Sequence, residues 1–302
     1  MKKIAYIELD IHAEIASGFR ELIADSAEFQ ADFYFSDKIL QRLHLQPAAD
    51  IFQSDASKIF SQVSSGGYDL VVIGTAHRFF NTFNKIAKRF NTAIIVHNLN
   101  FSKQSRLSLL RKVFKHDFIY RLKLLLKEGL MKAPSLHLKA KLLVLDEALA
   151  DSGNQFLPVF FTTSYDAPQK CMVNVVIPGA VSQKRRDYAY VLDKLDTFCC
   201  NTHFKIILLG KAGSRKVETI RSYCESKPKN VSLELFTEKV PQPVFDEQMR
   251  CADVLWCPIK KHTEFFSTPE IYGETKMSGN IGDAIRYGKI AVFPKNFRNG
   301  YA

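Results

Sequence analysis

Three observations predict an α/β fold built from two parallel-sheet domains. The chain's 302 residues exceed one ordinary core and suit two domains of about 150 residues each. Short apolar runs alternate with helix-length amphipathic segments almost throughout, the rhythm of βαβ units. One polar stretch ending in proline, Thr162 to Pro168, interrupts that rhythm and reads as a linker near residue 167. Domains are therefore expected over 1–167 and 168–302. With 46% apolar and 24% charged residues the chain is neither disordered, collagenous nor coiled-coil.

Ile4–Leu9 reads as the first strand and Ala13–Ala24 as a helix, with Ile15, Phe19, Leu22 and Ile23 on one side. Asp32–Phe35 is a second strand, and Ile51–Val63 has helical spacing through Ile59, Phe60 and Val63. Asp69–Ile73 is a continuous apolar run, suited to a parallel strand covered on both faces. Phe79–Phe90 is helical, and Thr92–Val96 is a strand ending at His97. Two further apolar runs, Leu142–Leu145 and Leu157–Phe161, precede the linker. Beyond it the pattern restarts: strands at Met172–Ile177, Phe204–Leu209, Val231–Phe236, Asp253–Cys257 and Ile290–Phe293. Helices are expected at Asp187–Phe198, Lys216–Cys224 and Gly279–Tyr287, the last stopped by Gly288.

The net charge of +11 invites a polyanion reading, but residues 103–141 alone carry +9 of it. Between Lys103 and Leu126, Leu107, Leu110, Phe114, Phe118, Leu122 and Leu125 recur every three or four residues among Lys and Arg. A basic amphipathic helix over 103–127 follows, with an anionic membrane surface as its expected partner. Nucleic acid is not expected, because no binding motif accompanies the charge. Lys2 and Lys3 precede an apolar run broken by Glu8 and Asp10, unlike a secretory leader, so a cytoplasmic protein is expected, peripheral on the inner face of the plasma membrane. The six cysteines form no Cys-x-x-Cys pair, which argues for reduced thiols and against zinc.

Four stretches of the second half occur in a recognisable order: Ile177–Tyr188, Ile206–Lys211, Cys251–Pro258 and Ser278–Pro294. On these the chain resembles the nucleotide-sugar-binding domain of bacterial GT-B glycosyltransferases; the first half matches through its βαβ rhythm and Val96-His97-Asn98. The resemblance implies two Rossmann-like domains, the second expected to be truncated at its C-terminus. It also implies a nucleotide-diphosphate sugar as donor and a glycan or lipid-linked acceptor, in surface polysaccharide synthesis. Gly179, Ser182 and Gly210 fall on the family's donor-side loops. The Ser278-Gly279-Asn280 helix start is a seat for phosphate, and Asp283 an acceptor for ribose hydroxyls. Lys184 and Arg185 can offset the charge of the leaving diphosphate. His97 takes the place of a histidine near the donor sugar.

The retaining members carry a Glu-x7-Glu pair. Counting back from Asp283 puts Thr275 at the first place, so Glu274, Glu270 and Lys276 become the candidates for that region. On the acceptor side the loop after the first strand offers Glu8, Asp10 and His12 as acid/base groups, with Gly18 opening the helix beyond it and His77 at another strand end. No Asp-x-Asp occurs, so metal-independent hexosyl transfer without a cofactor is expected. Two rival readings fit the same residues: a nucleotide-sugar epimerase of similar two-domain fold, and a non-catalytic binding or partner protein.

Overall fold

The computed structural model describes residues 1–162, 172–195, 202–213, 218 and 230–297. They form two compact units. The first comprises Met1–Val159 together with Glu264–Met277, and the second comprises Phe160–Thr263 with the segment that begins at Ser278. The linker expected near residue 167 and the helix expected at Lys216–Cys224 lie outside the described residues.

Among the described residues the first unit holds a seven-stranded sheet, all parallel, in the order β3-β2-β1-β4-β5-β6-β7. Its strands are β1 Lys2–Glu8, β2 Phe29–Phe35, β3 Ile51–Gln53, β4 Leu70–Ile73, β5 Thr92–Ile95, β6 Lys141–Val144 and β7 Asn154–Phe156. Strand order reverses between β1 and β4, and ligands of open α/β sheets collect at the carboxyl ends of such a pair. Strand β1 is buried on both faces, as a doubly covered parallel strand must be. Tyr6 stacks on Phe19 at 4.6 Å on one side, while Ala5, Ile7, Val71, Ile73 and Ile94 join the larger core on the other.

Helix α1 spans Ala13–Ala24. Gly18 sits inside it and not at its opening: a Cβ there would lie 2.2 Å from the Val159 carbonyl oxygen, so the glycine admits a crossing backbone. The run Ile51–Val63 is not one helix. It divides into β3 and α3 (Ile59–Ser65), because Ile51 pairs with Phe33 of β2 and Ser54 closes the strand end. The apolar run Leu157–Phe161 is not a strand; β7 ends just before it, at Phe156. Helices α2 (Asp37–Leu43), α4 (Phe80–Arg89) and the short α5 (Leu99–Ser102) complete the first part.

The basic segment is also broken. It forms α6 (Arg106–Val113), α7 (Phe118–Lys123) and a π turn at Leu124–Glu128, with Asp117 in the left-handed region at φ 56° between the two helices. Leu109, Val113 and Leu124 are buried, and four of the six positions of the apolar stripe, Leu107, Leu110, Phe114 and Phe118, face outward. Arg121 is turned inward and only 6% exposed, with its guanidinium on the Lys112 carbonyl at 2.6 Å and the Ser267 hydroxyl at 2.9 Å.

Helix α8 (Ala133–Lys139) carries His137, which is buried, leaves its Nδ1 unpartnered and has its basicity pushed down to about 4 by burial. The unfolded chain takes up this proton near 6.5, so it binds more protons than the native state between those limits. Stability therefore falls with decreasing pH across that window, by on the order of 3 kcal/mol for this group. His137→Leu is expected to flatten the loss of urea midpoint between pH 7 and pH 4; an unchanged acid limb would refute that assignment.

The second unit's five-stranded sheet has the order β10-β9-β8-β11-β14, again all parallel. The strands are β8 Val173–Pro178, β9 Phe204–Lys211, β10 Val231–Phe236, β11 Val254–Trp256 and β14 Ile290–Val292. Alternation divides its core in two: Val175, Ile177, Ile206 and Leu208 pack on one face, and Val176, Ile207, Leu209 and Leu255 on the other. Order reverses between β8 and β11. Helices α9 (Tyr188–Leu195), α10 (Gln242–Cys251) and α11 (Gly279–Tyr287) cover it; α11 ends at Gly288 with φ 59°, as a left-handed helix stop requires.

The hairpin β12 (His262–Phe265) and β13 (Thr268–Ile271) was not legible in the sequence. Its two-residue turn, Phe266-Ser267, holds φ 51° at both positions, the geometry that normally selects Asn-Gly. Arg121 compensates from below: its guanidinium lies 4.5 Å from the Phe266 ring centre and donates to Ser267.

Candidate functional site

In the first unit the carboxyl ends of β1, β4 and β5 carry a cluster of imidazoles. Glu8, at the end of β1, is fully buried and accepts from the Thr75 hydroxyl at 2.6 Å and from the Asp10 amide at 2.9 Å. Burial raises its carboxyl above the ordinary range, and these hydrogen bonds oppose the rise. Glu8 thus ties the β1 and β4 ends together beneath the loop. Asp10 above it is flanked by Arg78 at 3.7 Å and Lys38 at 4.0 Å.

His12 stacks on His97, ring centres 4.1 Å apart, and its Nδ1 lies 2.8 Å from the Glu14 carboxylate. Since a carboxylate only accepts, Nδ1 carries the proton and Nε2 is left as the basic nitrogen. The Glu14 side chain is 55% exposed, and the hydrogen bond from His12 holds its carboxyl below the ordinary range. The pairing of imidazole and carboxylate two residues apart needs only the first turn of α1, and the spacing was present in the sequence.

His97 donates Nε2–H to the Gly74 carbonyl at 2.9 Å, so its Nδ1 is an acceptor. Burial, then the charge of His12, holds its basicity well below the usual value and keeps the ring neutral. A neutral His97 accepts a hydroxyl proton in a hydrogen bond and cannot act as an acid. His77, pushed down to about 3 by burial, completes the cluster. Lys276 Nζ donates to Asn98 Oδ1 at 2.6 Å, which directs the Asn98 amide nitrogen to His77 Nε2 at 3.1 Å. His77 therefore carries its proton on Nδ1.

Arg78, which the sequence reading passed over, grips the buried Glu128 through Nε and Nη2 at 3.1 and 2.7 Å. Glu128 also accepts from the Phe79 amide, and Phe79 stands at φ 54°. The same guanidinium thus spans from the π turn of the basic segment to Asp10.

Glu274 and Lys276, expected among donor contacts, belong to the first unit. The reason is Glu270. It is fully buried and accepts from the Phe101 amide at 2.9 Å, the Asn100 amide at 3.3 Å and the Thr275 hydroxyl at 2.6 Å. A buried carboxylate with such donors anchors its hairpin. Glu274 follows in the tight turn, its amide on the Ile271 carbonyl.

In the second unit the remaining candidates meet at the ends of β8 and β11. Gly179 stands at φ 98°, and a Cβ on it would strike the Arg186 guanidinium at 2.3 Å. Gly210 is inside β9, where a Cβ would lie 2.4 Å from the Gly179 backbone, so it serves close chain approach. Arg186 donates to the carbonyls of Pro178 and Ala180 and lies 3.4 Å from Asn280 Oδ1. Asn280 in turn donates to Pro178 and to Asp283. Lys260 and Asp187 amides bond the Arg185 and Pro258 carbonyls, fastening this loop to the end of β11.

Lys184 and Arg185 project from that loop into solvent, and Ser182 is half-buried beside them. Ser278 caps α11, its hydroxyl accepting from the Asn280 amide at 3.3 Å. Space above Gly279 is open, with no atom within 4 Å of a would-be Cβ, whereas Gly282 admits the Phe160 ring. Cys257 below is buried, which pushes its thiol up to about 12, with Asp283 adding to the rise.

No protein-family model matches the chain, and no curated protein does. Solved structures do. An alpha-glucosyltransferase in complex with UDP-glucose and DNA containing an abasic site superposes over 98% of this chain and 80% of its own, at TM-score 0.56 and 9% identity. Sucrose-phosphate synthase from Thermosynechococcus elongatus does so over 97% and 81%, at TM-score 0.55 and 11% identity. A UDP-GlcNAc 2-epimerase from Neisseria meningitidis matches over 85% and 77%, at TM-score 0.48 and 10% identity. At such identities the likeness is one of architecture, and with two all-parallel sheets of reversing strand order this chain has the GT-B fold.

Proposed function

We propose that the protein is a glycosyltransferase that moves a sugar from a nucleotide-diphosphate donor to a glycan or lipid-linked acceptor in bacterial surface polysaccharide synthesis. The observation that carries this reading is the braced loop of the second unit. Arg186 and Asn280 lock Gly179–Arg186 at a strand-order reversal, leaving Lys184, Arg185 and the open face of Gly279 outward. That is a concentration of fixed donors and cations suited to a diphosphate.

The second unit binds the donor, with Ser278, Gly279 and Asn280 at phosphate and Asp283 at ribose. The acceptor hydroxyl oxygen bonds to the anomeric carbon as the bond from that carbon to the phosphate oxygen breaks. The hydroxyl proton passes to His12 Nε2, and the electron pair leaves with the diphosphate, whose charge Lys184 and Arg185 offset. His97 accepts from a sugar hydroxyl. These two cations perform the neutralisation that a metal ion supplies elsewhere, so metal-independent transfer is part of the reading. Segment 103–127 brings the enzyme to an anionic membrane surface.

Thermal unfolding with UDP, GDP and CMP compounds tests the donor assignment. One nucleotide at about a hundred times its Kd is expected to stabilise by about 2.7 kcal/mol, a shift of several degrees. Lys184→Ala should reduce that shift without lowering the unliganded Tm. A flat response to every nucleotide overturns the proposal.

A further inference from the structure

The broken basic segment leaves an unusual surface. Because α6 buries Leu109 and Val113, its other faces display Leu107 at 58% and Phe114 at 68% exposure, and α7 adds Ile119 at 85%. The Phe114 and Phe118 rings stack at 5.8 Å and form one exposed apolar knob. Beside it runs a cleft of about 340 Å³ lined by Ser105, Leu107, Ser108, Arg111, Lys112 and Lys115.

The cleft is furnished for an anion. Lys112 forms its floor, held by Gln104 and the Thr268 hydroxyl, each at 2.7 Å. Ser108 is fixed by the Gln104 side chain, and Ser105 by the Ser108 amide. Among the described residues Arg111 and Lys115 have no acidic partner. Burial, and then the charge of Lys115, weakens the basicity of Lys112; Glu270 faces it and opposes the effect, and Arg121 adds to it. Three cations crowd a concavity with little compensating charge, an arrangement that a phosphate relieves. The apolar knob at its edge fits the acyl boundary beneath such a phosphate.

We infer that this cleft seats the phosphate of an anionic membrane phospholipid, while Leu107, Leu110, Phe114 and Ile119 enter the lipid beneath it. The inference rests on the membrane reading of segment 103–127 and deepens it, from attraction to a charged surface to a defined headgroup site. Generic attraction treats all cations of the segment alike and fades with salt. A hydrogen-bonded seat depends on its own cations and is screened less.

Co-sedimentation with phosphatidylglycerol vesicles at about 0.5 M salt, where surface charge is screened over a few ångströms, separates the two. Arg111→Gln/Lys115→Gln is expected to lose about tenfold in partition, and Lys123→Gln/Lys127→Gln, of equal charge change, to stay near wild type. Dihexanoyl phosphatidylglycerol below its micellar concentration should perturb the amide resonances of 105–115. If both pairs lose equally, the membrane reading stands and the headgroup site fails. If the wild type ignores vesicles at every salt concentration, the membrane reading itself fails and takes the site with it. Equal perturbation by inorganic phosphate, or tighter binding of an oligonucleotide than of vesicles, also overturns the headgroup assignment.

Discussion

His12→Ala is expected to lower kcat by two to four orders of magnitude, the usual contribution of a positioned general base, with the donor-induced Tm shift unchanged. The imidazole is partly open to solvent, stacked on His97 and directed by Glu14, so its Nε2 is the basic nitrogen of the cluster that remains available. His97 and His77 are both committed to single tautomers through Gly74 and Asn98. Its loss leaves α1 intact, because the His12 side chain makes no cap bond to the helix. Glu14→Gln is expected to lower kcat about tenfold to a hundredfold with KM unaltered, and Glu14→Asp to recover part of it, since Glu14 acts only by orienting the ring. Steady-state kinetics on a matched donor and acceptor decide it. A fall of less than tenfold in His12→Ala removes this histidine from the chemistry.

The second large effect belongs to Arg186. Its planar fork satisfies two loop carbonyls and reaches Asn280, bringing the Gly179 loop and the start of α11 into one frame. Arg186→Ala strands those acceptors, and the unit should lose about 2–3 kcal/mol, together with the donor-induced Tm shift. Arg186→Lys should recover little, because an ammonium cannot span both carbonyls. Lys184→Ala, by contrast, removes an exposed charge and should weaken donor binding alone. Isothermal titration of the nucleotide against each variant separates the cases; wild-type affinity in Arg186→Ala would show that the brace is irrelevant to the donor.

The contrast between these residues shows what the sequence could reveal. Strand and helix rhythm was legible because doubly covered strands such as Asp69–Ile73 are continuous apolar runs. Ala13–Ala24, Val231–Phe236 and Gly279–Tyr287 fall where periodicity and end signals place them. Ile51–Val63 misled because a three-residue strand and a short helix, read without a break, mimic helical spacing. The basic segment is not the single helix that its period suggests, for another reason. The left-handed Asp117 and the π turn break it, and tertiary packing buries Leu109, Val113 and Leu124, which lie outside the stripe. The Phe266-Ser267 turn had no glycine or asparagine signal, since Arg121 supplies the compensation from elsewhere in the chain. Strand-end candidates such as His12 and His97 were readable from position, and Glu14 from its spacing to His12, whereas Arg78 and Arg186 acquire their roles through partners that only the fold assembles.

Glu270 carries a consequence for the chain's modularity. Its carboxylate is satisfied by amides of Asn100 and Phe101, nearly 170 positions earlier. The segment Glu264–Met277 is thus grafted from the second stretch of sequence onto the first compact unit. The first 162 residues without that hairpin would leave the Asn100 and Phe101 amides without the carboxylate and uncover the surface against which Phe265 and Phe266 pack. Neither half is therefore an independently heritable module: recombination that exchanges one half must carry the hairpin's receptor with it or lose both.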